Sequence, residues 1–204
     1  MFKKLGYVLI KKAIPLEIVD FLYSYILLKK EVAKTFYEKK YIPPMSPEWG
    51  TLEGDTQIPD AVYAVYGDIA MDLLLSKIKP TLEKVIDIKL YSTYSYARIY
   101  KTGNELLPHV DRYYCDISGT VFLGGDKWPI YLLSKEKKEI EINLELGDIL
   151  IYKGDKLKHW RKKFTGGHCA QVFLHYNNQK TKLAKENIYD KRPHLGLPPS
   201  FMKK

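Results

Sequence analysis

A histidine and an aspartate stand two positions apart at the end of an apolar run, in Leu106-Leu107-Pro108-His109-Val110-Asp111-Arg112. In an extended chain, residues i and i+2 project to the same face. His109 and Asp111 therefore point together, and Val110 turns the other way. An imidazole and a carboxylate side by side supply two-thirds of a facial metal site. The best third ligand is His159, in Lys156-Leu157-Lys158-His159-Trp160-Arg161, about fifty residues further on. The other histidines are weaker candidates: His168 follows two glycines, His175 ends a strand-like segment, and His194 lies in a proline-rich tail.

The elements that must bring these residues together can be read from periodicity. From residue 90 to 177, eight strand-like segments alternate with turn signals: 91–100, 105–110, 116–123, 128–133, 137–143, 148–153, 157–163 and 169–176. Many short strands at regular spacing predict a sandwich or barrel, and eight in this order suit a jelly roll. In that arrangement the second and seventh strands are neighbours, so His159 can meet His109 and Asp111. Ahead of the strands, 6–10 reads as a short strand. Residues 14–36 read as a helix whose apolar positions Ile18, Phe21, Leu22, Tyr25, Leu28 and Val32 face the core. Residues 40–60, with four prolines and two glycines, read as a long loop. A second helix is expected over roughly 60–84, broken near Pro80. The expected fold is mainly β with N-terminal helices, a jelly-roll core buttressed by two long helices. The expected organisation is one domain over 1–204, with helical support in 1–89, the core in 90–177 and an irregular tail in 178–204.

Composition narrows the function classes. The 204 residues are 46% hydrophobic and 28% charged, as in an ordinary soluble protein. Net charge is +9, but the lysines are scattered in twos and threes and form no basic block. That favours a solvated lysine-rich surface over a nucleic-acid tract. Two cysteines without CxxC spacing exclude a thiolate zinc site and a disulfide framework, and suggest free thiols in a reducing compartment. No apolar run reaches the ~18 residues needed to span a bilayer. A cytoplasmic protein with no membrane partner is the expectation.

Two histidines and one carboxylate leave coordination positions open. That ligand set fits non-haem Fe(II) oxygenases rather than structural zinc, which closes with four protein ligands. The order HxD, then H, over eight strands with helices in front, resembles the iron(II)/2-oxoglutarate-dependent dioxygenase superfamily, its prolyl-4-hydroxylase-like branch above all. The segments "GYVLIKKAIPLEIVDFLYSYI", "YARIYKTGNELLPHVD" and "GDILIYKGDKLKHW" carry the resemblance. It implies a double-stranded β-helix with iron held by His109, Asp111 and His159, which are also the catalytic centre. It also implies 2-oxoglutarate and O2 as co-substrates, with ascorbate compatible as a reductant, and hydroxylation of a C–H bond coupled to release of succinate and CO2.

One departure stands out. Prolyl-hydroxylase-like members carry an Arg or Lys nine or ten residues after the last histidine, to hold the far carboxylate of 2-oxoglutarate. Here those positions are His168 and Cys169. Tyr100, which matches the family's carboxylate-binding tyrosine, ranks first as a replacement, followed by Arg98, Arg161 and His168. Arg98 shares a strand face with Tyr100, and Arg161 shares one with His159. Arg112 is expected to face away from the ligands. The implied partner is a prolyl or other amino-acid side chain of a peptide, or a free amino acid. A nucleic-acid-modifying dioxygenase is the second reading, and a jelly-roll metal protein without oxygenase activity the third.

Overall fold

The computed structural model describes residues 2–43, 46–55 and 57–202. Among the described residues, two antiparallel sheets face each other, and two long helices cover the outer face of the larger one. The elements run α1 (Phe2–Leu5), β1 (Tyr7–Ile10), α2 (Leu16–Glu38), β2 (Tyr63–Tyr66) and α3 (Ile69–Ile86). Then follow β3 (Leu90–Lys101), β4 (Leu106–His109), β5 (Ile117–Gly125), β6 (Ile130–Leu133), β7 (Glu139–Ile142), β8 (Ile149–Tyr152), β9 (His159–Arg161) and β10 (His168–Asn178). The large sheet has the order β1-β8-β5-β10-β3-β2 and the small one β4-β9-β6-β7. The expected jelly roll is present, and all eight expected strands fall within a few residues of β3 to β10.

Alternation along the strands divides the interior into two cores. Ala97, Ile99, Val121, Ile149, Ile151, Val172 and Leu174 face the helices and pack with Leu22, Ile26, Leu75, Ile78 and Leu82. Their neighbours Tyr100, Phe122, Leu150, Tyr152 and Cys169 face the small sheet and pack with Leu106, Trp128, Ile130 and Leu132. The second core is the space in which a site between the sheets can form.

Three expectations about 1–89 require correction. The segment is not only helical support, because β1 and β2 form both edges of the large sheet. The second helix begins at Ile69 rather than near 60. Residues 63–66 pair with β3, from Tyr63 opposite Ile99 to Tyr66 opposite Tyr96, and Asp68 then caps α3 by accepting from the Ala70 and Met71 N–H groups. Nor does α3 break at Pro80. Pro80 is exposed, as is Ser76, whose carbonyl would have accepted the missing hydrogen bond. Water can satisfy that carbonyl while Ile78, Leu82 and Ile86 stay packed.

The α2 stripe is also offset. The buried positions are Val19, Leu22, Ile26 and Ala33, whereas Ile18, Phe21 and Leu28 are exposed. The helix is apolar around more than half its circumference, and only the neighbours decide which part is covered. No helix among the described residues is long and apolar enough to cross a membrane.

The C-terminal tail is irregular, but it is firmly tied down. Arg192 and Asp72 are both buried and paired at 3.1 Å. Asp72 also accepts from Ser95 and from the Gly196 N–H, and Arg192 donates to the Thr93 carbonyl. Breaking a buried pair leaves one charge without its partner. Arg192→Met is expected to cost about 3–5 kcal/mol of stability, measured by urea unfolding, and Asp72→Asn on top of it should cost less than it does alone.

Candidate metal centre

β4 and β9 pair antiparallel, with His109 directly opposite His159. The two rings meet with centroids 4.3 Å apart. Asp111 lies just beyond the end of β4, where its N–H donates to the Gly154 carbonyl at 2.9 Å. Its Oδ1 stands 3.8 Å from His109 Nε2 and 3.5 Å from His159 Nε2. The three ligand atoms all lie within 4.8 Å of one another. The residues expected from spacing to form one site do come together.

The surroundings prepare these groups for a cation. His109 Nδ1 lies 2.8 Å from the Leu107 carbonyl, and His159 Nδ1 lies 2.9 Å from that of Leu157. A carbonyl can only accept, so each Nδ1 carries the proton and each Nε2 lone pair is left for a metal. Burial, together with the adjacent His159, lowers the pKa of His109 and favours the neutral ligand form. Burial works against the Asp111 charge, but the contacts with His159, His175 and Ser118 outweigh it and hold the carboxylate well below its ordinary range.

Sequence reasoning missed the groups behind Asp111. Ser118 Oγ donates to Asp111 Oδ2 at 2.5 Å and lies 3.1 Å from His175 Nδ1. His175 sits against Tyr94, ring centroids 4.5 Å apart. Strand alternation carried the available signal, since Ser118 on β5 and His175 on β10 fall opposite each other in the register. Gly154 was not recognised either. A Cβ there would lie 2.3 Å from both Asp111 Oδ2 and Ser118 Oγ, so only glycine lets the turn after β8 come this close.

A cavity of about 400 Å³ opens beside the three ligands. One wall is the inner face of β3, with Tyr94, Tyr96, Arg98 and Tyr100 in succession. Tyr100 is fully buried, and its hydroxyl has no hydrogen-bond partner among the described residues. Arg98 is also buried, but it is ion-paired with Asp55 of the 40–60 loop. Arg161 projects from β9 on the same side as His159, behind the cavity lining. It is fully buried over Trp128 and near Thr120 and Gln171. His168 lies elsewhere. It is an even-numbered residue on β10, so it faces the helices, where its ring contacts the Tyr23 hydroxyl at 2.6 Å. The reading of Arg112 as facing away is corrected. The strand ends at His109, the chain turns, and Arg112 lines the cavity, stacked over Tyr94 and paired with Asp190 at 2.6 Å. Pro199 and Met202 of the tail complete the rim.

No family model and no curated protein matches the sequence. Solved structures do match the fold. A prolyl-4-hydroxylase from Pseudomonas putida is 12% identical over 87% of this chain and 95% of its own, with a TM-score of 0.63. EctD from S. alaskensis with bound Fe is 11% identical over 87% of this chain and 74% of its own, with a TM-score of 0.60. HygX from Streptomyces hygroscopicus, with nickel and 2-oxoglutarate bound, is 12% identical over 88% and 85%, with a TM-score of 0.57. The likeness establishes the fold, a double-stranded β-helix.

Two outcomes check this geometry. Gly154→Ala should weaken divalent-metal binding at least about tenfold while leaving the melting transition cooperative, because the methyl displaces an oriented ligand. The second concerns His175, whose pKa burial lowers to about 4. The unfolded state takes up its proton near pH 6.5 and the native state does so only near 4. Stability contributed by the neutral imidazole is therefore intact above 6.5 and is lost as the pH falls toward 4. The loss should be on the order of 3 kcal/mol in the metal-free protein, and His175→Gln should flatten that part of the stability profile.

Proposed function

We propose that this chain is an Fe(II)- and 2-oxoglutarate-dependent oxygenase that hydroxylates a C–H bond of an amino-acid-like substrate, peptidyl or free. The observation that carries the reading is Arg161. It is a fully buried guanidinium two residues along the strand from a metal ligand, with no carboxylate paired to it among the described residues. Burial lowers its pKa, and its Nε lacks any partner among the described residues. An unneutralised buried charge is costly, and a bound carboxylate would remove that cost.

The residues present fit the groups that the fold family uses. His109 and His159 would offer Nε2 and Asp111 Oδ1 to Fe(II), leaving the cavity side open. Arg161 and Tyr100 would hold the far carboxylate of 2-oxoglutarate, with Thr120 close by. The i, i+2 spacing sets the Cα atoms of His159 and Arg161 about 7 Å apart, the length scale of a five-carbon diacid. Bound iron and 2-oxoglutarate supply the oxygen-activating chemistry that an amino-acid side chain lacks.

The chain's own residues supply position and environment. Ser118 fixes the second oxygen of Asp111, so the first stays aimed at the metal. Tyr152 packs edge-on against His159 at 4.7 Å and holds the ring plane. Leu106, Ile130 and Phe173 line the cavity and keep bulk water from the reacting centre. Arginine at a β9 position can replace the basic residue expected on β10 because both strands point side chains into the same inter-sheet core. Support for an amino-acid-like substrate comes from the cavity's tyrosine and Phe173 walls and from the presence of a prolyl hydroxylase among the similar structures.

Anaerobic addition of Fe(II) and then 2-oxoglutarate should produce a weak visible metal-to-ligand charge-transfer band that needs both. His109→Ala should abolish it by removing the metal. Arg161→Leu should keep iron binding and raise the 2-oxoglutarate concentration needed by at least about tenfold, the loss of a charge-assisted bidentate contact. A band that forms normally in Arg161→Leu would end the assignment of that residue.

A further inference from the structure

Arg98 is a buried guanidinium that lines the cavity Arg161 backs, and its situation is the reverse of that of Arg161. Only 2% of its side chain is exposed, whereas its partner Asp55 is 36% exposed and arrives from the loop. Asp55 Oδ2 accepts from Arg98 Nη2 and, at 3.0 Å, from the Tyr96 hydroxyl. Asp55 Oδ1 is committed elsewhere and accepts from the Gln57 and Ile58 N–H groups at 2.9 and 3.0 Å. Asp55 can therefore give Arg98 only one oxygen. Arg98 Nε, on the edge of the fork where a second oxygen would bind, is buried without a partner among the described residues. The guanidinium lies over the rings of Tyr96 and Tyr100, 4.9 and 5.5 Å from their centroids, which fixes its plane.

We infer that Arg98 and Tyr96 form a subsite for a carboxylate of the substrate, and that Asp55 occupies it until the substrate displaces it. A ligand carboxylate can engage Nε and Nη2 together, as the fork geometry favours. It thereby satisfies the atom that Asp55 leaves unpaired. The exchange returns Asp55 to solvent at small cost, because its side chain already lies in a partly exposed loop. The substrate class is then a molecule with a free carboxylate, such as a small acid, a free amino acid or the C-terminal residue of a peptide. An internal proline, whose carboxyl is an amide, would not engage the subsite. The inference rests on the proposed oxygenase function for the use of the cavity, and on the geometry alone for the subsite.

The test is direct binding of benzoate, and of its neutral isostere benzamide, by isothermal titration. It compares the wild-type chain with Asp55→Asn, which keeps the Oδ1 turn contacts and removes the charge. An internal competitor reduces apparent affinity by the fraction of time it holds the site. Benzoate should bind Asp55→Asn about tenfold more tightly than wild type, with benzamide unchanged. The gain should vanish in Asp55→Asn/Arg98→Met. If that chain melts early, Arg98→Lys takes its place and should also lose the gain, because lysine has no fork. Equal benzoate affinity in wild type and Asp55→Asn overturns the inference. So does an equal gain for benzamide, which would mean a merely loosened loop, or a gain that persists without Arg98. None of these readouts requires iron, so the charge-transfer band can fail while the subsite stands, and the reverse.

Discussion

The site depends on one cross-strand pair. His109 and His159 face each other across β4 and β9, and opposed residues in an antiparallel ladder have Cα atoms only about 4.5–5.5 Å apart. That distance is what would let two imidazoles serve one cation. A slip of one residue in either strand would turn its histidine to the outer face, and the pair His109 and Asp111 would lose His159. The register is protected by what lies on each side. Leu106 and Leu132 are buried in the inter-sheet core, while Trp160 stacks on Tyr131 outside, 5.9 Å between centroids. Packing on both faces therefore selects the alignment that assembles the ligands.

Around this pair the fold accepts several buried charges and treats them differently. Asp72 and Arg192 neutralise each other and bind the tail to α3 and β3. Asp111 is held by the Ser118 hydroxyl and flanked by two imidazoles. Arg98 has a loop carboxylate, and Arg161 has, among the described residues, only neutral acceptors, the Trp128 carbonyl among them. A structural pair needs no vacancy, whereas a recognition group must keep one. Among the described residues, the order from Arg192 through Arg98 to Arg161 runs from a carboxylate buried with it, through a partly exposed one, to none. The last two line or back the cavity, which is where an incoming anion would be read.

The tail shows a related economy. Tyr189, Asp190 and Lys191 have φ values of 55°, 55° and 62°, a left-handed run costly for residues with a Cβ. It brings the buried Asp190 to the Tyr66 hydroxyl and to Arg112 at the rim. Strain at this point coincides with the edge of the cavity.

The spacing of His109, Asp111 and His159, the eight-strand pattern and the inward alternation of Tyr100 and Arg161 were all legible in the sequence, because a strand's period of two fixes which residues share a face. Periodicity does not say what stands opposite a face. It took the Ile18 stripe of α2 rather than that of Val19, could not foresee that residues 63–66 would leave the helix to pair with β3, and put Arg98 ahead of Arg161 and His168 without sight of the carboxylate that pairs with Arg98. Those outcomes turn on partners remote in sequence: Asp55 comes 43 positions before Arg98, and Tyr23 comes 145 before His168. By itself the sequence determined which three residues could share a metal and the strands that carry them. Tertiary structure decided that Arg98 meets a carboxylate, that Arg161 meets none among the described residues and that His168 points outward, because neutralisation of a buried charge depends on the groups that folding brings within a few ångströms of it.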